Sequence, residues 1–113
     1  MGYVRSKTIE FAKLNPKARK GDKAEIHGIS YNQFMEVQEL ISQAKEAKTE
    51  AEKLKLSSQA NVIFITSSCH SITLDGVTIE PTEEDITSLD TIYYQILLNE
   101  VLDFNAYGEN EKN

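Results

Sequence analysis

Reactive side chains are sparse in this sequence, and Cys69 and His70 are the one place where a thiol and an imidazole adjoin. A cysteine nucleophile needs a basic partner held at hydrogen-bond distance and a thiolate it can reach near neutral pH. A structural zinc site needs several spaced Cys or His ligands. Cys69 is the single cysteine and His27 the only other histidine, so neither set can be assembled along the chain. Cys69 therefore reads as a buried structural thiol, and His27, followed by Gly28, as a turn residue.

Five acids, Asp75, Glu80, Glu83, Glu84 and Asp85, crowd into SITLDGVTIEPTEEDI, Ser71 to Ile86. A calcium loop places oxygen ligands at alternate positions around a central Gly and closes with a Glu at its twelfth. Here threonines and apolar residues fill the alternate positions beside Asp75-Gly76, and that pattern fails. Ile72 and Leu74, then Val77 and Ile79, instead flank Asp75-Gly76 as a two-residue β-hairpin. Pro81 ends it, Thr82 is a good helix N-cap, and the following acids suit the positive end of a helix dipole. The five glycines are scattered, so no phosphate-cradling loop exists. MGYVRS fits a myristoylation pattern, but six residues with three fixed positions carry little weight. The chain reads as non-enzymatic, with no cofactor and no metal.

These residues sit on elements that the remaining sequence defines. A chain of 113 residues reads as one domain, 1–113. Its longest apolar run, VIFI at Val62–Ile65, falls far short of the ~20 residues of a membrane helix. One cysteine and no apolar leader suit a soluble, cytoplasmic protein. The net charge of −6 is uneven: residues 1–23 carry +5 and residues 24–113 carry −11. Residues 1–22 read as a basic N-terminal arm or hairpin. A basic arm on an acidic body can meet nucleic acid, a membrane or the acidic body of a neighbouring copy; without aromatic residues interleaved among its bases, the arm does not favour nucleic acid.

TIEF (Thr8–Phe11) and KAEI (Lys23–Ile26) alternate as the strands of a small antiparallel hairpin around a polar loop with Pro16 and Gly21. His27-Gly28 is expected to turn the chain into a short return at Ile29–Tyr31. Ser30 and Gln33 form a capping box, and an uninterrupted helix is expected over residues 31–56. Its apolar face thins from Phe34, Val37, Leu40 and Ile41 to Ala44, Ala47 and Ala51, which makes these alanines candidates for a partner surface. Its alternating Glu and Lys suggest a solvated face with i,i+4 pairs. Residues 57–70 have strand propensity and a helical face at once, and periodicity leaves both open. A last helix, from Leu89 or Asp90 to Phe104, carries an apolar stripe wider than one neighbour covers. Tyr94 and Leu98, which extend that stripe sideways, are the other partner-binding candidates. Residues 1–7 and the polar tail 106–113 lack the apolar periodicity to anchor themselves, so trimming either is expected to leave the fold intact, and the tail reads as loose. The fold class is mainly α with a small β component, α+β, with a long central helix, short hairpins and a C-terminal amphipathic helix.

This order of elements resembles the small tail assembly chaperones of long-tailed bacteriophages or prophages. The likeness covers roughly residues 23–105: AEIHGISYNQFMEVQEL, a Glu/Lys/Ala helix, an apolar segment, LDGVTIEPTEEDI, and a YYQILLNEVLDFN helix closing near an Asn. It favours helix over strand for residues 57–70. It implies a self-associating, non-enzymatic protein in the bacterial host cytoplasm. Such a protein binds the tape measure protein and recruits tail tube subunits. It also implies a longer form made by ribosomal frameshifting, and Glu111-Lys112-Asn113 can be encoded by a run of adenines that permits slippage. The alternative is an acidic regulatory or inhibitory protein occupying a basic, nucleic-acid-binding surface of a partner.

Overall fold

The computed structural model describes residues 5–105. β1 (Ser6–Glu10) runs into one helical turn, α1 (Phe11–Leu14), and returns as β2 (Lys23–His27). Two helices follow, α2 (Tyr31–Glu46) and α3 (Glu50–Ser68), then β3 (Cys69–Leu74) and β4 (Val77–Ile79). The chain closes with α4 (Glu83–Thr87) and α5 (Thr91–Phe104). The four strands form one antiparallel sheet in chain order, β1-β2-β3-β4. The α+β class read from the sequence therefore holds.

Alternation along each strand decides which face of the sheet is buried. Ile9, Ala24, Ile26 and Ile72 are all at most 2 % exposed, while Thr8, Glu25, Thr73 and Thr78 hydrogen-bond to one another in pairs across the other face. Ala60, Phe64 and Ile65 of α3 and Leu97 and Val101 of α5 join the buried strand residues in one core, with Phe11, Val37 and Ile86. Both hairpins expected from the sequence form. Ser6–Glu10 pairs with Lys23–His27, and Asp75-Gly76, at φ +55° and +82°, makes the tight turn of the second. β2 and β3 fuse them into a single sheet, with a bulge between Glu25 and Ile26. Of the two forms expected for residues 1–22, β1 takes the hairpin.

Several expectations are corrected. The helix expected over 31–56 breaks at 47–49, and α3 then continues through the ambiguous segment as far as Ser68, so residues 57–68 are helical and Cys69-His70 open β3. The break has a cause in side-chain chemistry: Thr49 Oγ1 accepts the Glu52 N–H at 3.1 Å and starts a new helix. Thr49-Glu50-Ala51-Glu52 is itself a capping-box pattern, and it was the missed signal. The return at Ile29–Tyr31 does not form, because Ser30 already caps α2 by accepting the Gln33 N–H. The Gln33 side chain accepts the Ser30 hydroxyl rather than a backbone N–H. No i,i+4 ion pair forms along α2 and α3; the pair present is Glu50–Lys53, at i,i+3.

Residues 5–7 make side-chain contacts with α5. Arg5 donates to the Phe104 carbonyl at 3.1 Å and stacks its guanidinium over the Phe104 ring, and Lys7 pairs with Glu100 at 2.9 Å. The positive N-terminal segment thus meets the acidic body within one chain. The myristoylation pattern at Gly2, the tail 106–113 and the Glu111-Lys112-Asn113 run lie outside the described residues, apart from Arg5 and Ser6 at the end of the pattern. Among the described residues no helix is long and apolar enough to cross a membrane.

Candidate functional site

Helical cover of the sheet ends at β4, where Val77 is 63 % and Ile79 37 % exposed. A groove of about 680 Å³ opens there, between the Asp75-Gly76 hairpin, the loop preceding β2 and the start of α5. Leu74, Ile79, Leu89 and Ile92 supply its apolar lining, and Lys17, Arg19, Asp85 and Asp90 stand among its polar residues.

A buried carboxylate organises this end of the molecule. Asp22 is 4 % exposed, and its Oδ1 accepts the Asp75 N–H at 2.8 Å while its Oδ2 accepts the Tyr93 hydroxyl at 2.5 Å. The Tyr93 oxygen in turn accepts the Arg19 N–H at 2.8 Å, and Arg19 Nη1 pairs with Asp75 at 2.8 Å. Tyr93 also stacks on Phe11, ring centroids 4.6 Å apart. Burial, reinforced by the hydrogen bond to Asp22, pushes the Tyr93 hydroxyl above its usual pKa. The other acids of the groove also have structural partners: Asp85 accepts the Thr82 N–H in a capping box, and Asp90 accepts the Ile92 N–H. This confirms the reading of the Thr82 helix start, with Asp85 closing a box the sequence reading did not include. Chemically the arrangement is a fixed, mixed-charge cleft that can bind.

Cys69 and His70 lie on neighbouring positions of β3, Cys69 buried and His70 exposed. Burial pushes the Cys69 thiol from 9.0 up to about 12, against a smaller lowering by the Ser71 backbone. A thiolate is therefore disfavoured at neutral pH. His27 is not the turn residue expected: it is the last residue of β2, paired with Ser6, and its Nδ1 lies 2.9 Å from the Gly28 carbonyl. Among the described residues no group of three or more His, Cys, Asp or Glu is placed to hold a metal ion.

The five partner-binding candidates are not gathered into one surface. Tyr94 and Leu98 are half-buried against the core. Ala44 is buried beside Ile41, Lys53 and Ser57 in the α2–α3 seam, Ala47 is half-buried, and Ala51 is exposed. The groove at the start of α5 is lined by neither Tyr94 nor Leu98. Sequence reading missed Asp22, Arg19 and Tyr93. The available signal was a tyrosine inside an apolar stripe, whose hydroxyl needs a partner when buried. Asn105, at the end of the VLDFN motif, proves architectural: its Oδ1 accepts the Ile29 N–H at 2.9 Å, and its Nδ2 reaches the buried Ser68.

On α2, away from this groove, Asn32, Met35, Glu36, Glu39, Gln43 and Glu46 border a shallow depression of about 590 Å³. Compared with known protein families, curated proteins and solved structures, the chain matches none. Its functional reading rests on residues and geometry.

Proposed function

We propose that this chain is a non-enzymatic tail assembly chaperone that self-associates, binds the tape measure protein and recruits tail tube subunits. The observation that carries the reading is the helical hairpin α2–α3, inserted between the two halves of one sheet and leaving Tyr31, Met35 and Leu54 on its surface. Exposed large side chains on paired helices suit transient cover of a long partner's apolar helical surface, with moderate affinity that a tube subunit can displace. Support from the sequence lies in the order of elements, from AEIHGIS to VLDFN.

Co-expression with the product of the long reading frame beside its gene tests this. The expected result is a soluble complex that survives about 1 M salt, where the Debye length falls to about 3 Å. A neighbouring product that neither co-elutes nor gains solubility overturns the reading. The second reading, an acidic regulator of a nucleic-acid-binding protein, is favoured by Glu36, Glu39 and Glu46, none of which has an ion pair among the described residues. It predicts a complex that dissociates at that salt.

A further inference from the structure

The outer face of α2 carries charge that the described residues leave unanswered. Glu36, Glu39 and Glu46 border the depression on this face, and among the described residues no base lines it and none of the three has an ion pair. Lys45, the one base on the helix, lines the seam towards α3 instead. Like charges three residues apart, as at Glu36 and Glu39, oppose helix formation rather than support it. Between these carboxylates and the helix start stand two large side chains one turn apart, Tyr31 at 73 % and Met35 at 46 % exposure. The face is therefore apolar at its N-terminal end, and beyond it the charged residues, set among Gln38, Ser42 and Gln43, are all acidic.

We propose that this face docks a basic amphipathic helix of a partner protein, whose apolar side chains cover Tyr31 and Met35 while its Lys and Arg meet the three glutamates. The inference rests on the chaperone reading and specifies the chemistry of the bound segment. A nucleic acid is repelled by the same carboxylates. A second copy is a poor occupant, because Lys17, Lys20 and Lys23 lie on or beside a loop, and α3, with Lys53 and Lys55, carries Glu50 and Glu52 in the preceding turn. A helix fits best, since ridges of one helix seat in the grooves between i,i+4 rows of another. Methionine adapts its shape to such contacts.

The test uses the full chain, isotopically labelled for NMR, and a synthetic Leu/Ala/Lys amphipathic helix about 20 residues long, past the length at which an isolated helix is marginal. The expected result is shift changes centred on Tyr31, Met35 and Glu39. Kd should weaken about tenfold or more, equivalent to about 1.4 kcal/mol, in the Glu36→Lys, Glu39→Lys, Glu46→Lys triple variant. Met35→Ala, which keeps the charge, should also weaken binding. Reversing Glu52, Glu80 and Glu83 should matter less. If the lysine variant unfolds, the corresponding glutamine triple variant gives the same comparison. Equal weakening by both charge reversals, an unaffected Met35→Ala, shifts centred elsewhere, or no binding each overturns the surface assignment. These failures leave the co-expression result standing, so the surface and the chaperone reading fail separately.

Discussion

Asp22 shows how one residue can hold a corner of this molecule together. Removing the Tyr93 hydroxyl leaves Asp22 Oδ2 and the Arg19 N–H each without its partner. Tyr93→Phe is therefore expected to cost about 1–3 kcal/mol, the range for stranding a buried polar group. Urea unfolding measures it, and an unchanged midpoint would show that water takes the hydroxyl's place. Cys69 gives a pH prediction. Its thiol titrates at about 12 when folded and near 9.0 when free, so below the lower value both states hold the proton and stability is unaffected. As pH rises above that value the unfolded chain deprotonates first, and stability falls by at most about 1.4 kcal/mol per pH unit for this group. Tyr93, also raised, adds to the loss above its own ordinary pKa. Cys69→Ala should flatten the decline between about pH 8.5 and 9.5, where the free thiol ionises ahead of most free tyrosine; an identical slope would deny the buried thiol its role. That Cys69 is structural was legible from its isolation in the sequence. The Asp22 knot was not, because its members come from three segments far apart in the chain.

At the scale of elements, local chemistry was readable wherever it was self-contained. Asp75-Gly76 with alternating flanks gave the second hairpin, and Thr82 gave the helix start before Glu83. Gly76 sits at φ +82° with open space around its α-carbon, so Gly76→Ala costs backbone conformation alone, about 1–2 kcal/mol. A thermal melt unchanged by that substitution would mean the turn relaxes. The break in the helical hairpin was missed because the apolar spacing of Phe34 to Leu54 runs on through it. Periodicity records which side of a helix is apolar, whereas the Thr49 cap decides where a helix starts. Thr49→Ala should lower stability by about 1 kcal/mol. If instead α2 and α3 merge into one rod, hydrogen exchange will protect the 47–49 amides and refute the capping account.

On the scale of the whole molecule, the charge asymmetry of the sequence takes a different form from the one expected. A positive segment beside an acidic body suggested contact with another molecule, yet Arg5, Lys7 and Arg19 are spent on Phe104, Glu100 and Asp75 of the same chain. Pairing across that distance depends on the β1–β2 register, which composition cannot convey. Among the described residues the carboxylates of α2 have no ion pair, and they direct attention to a partner. The most direct test is the mass of the complex formed with the product of the neighbouring long reading frame, measured by light scattering during gel filtration in about 1 M salt, where exposed charges are screened. The account predicts several copies of this chain on one partner chain, as a coat requires. A partner that elutes without this chain, or this chain eluting only as a free monomer, would contradict it.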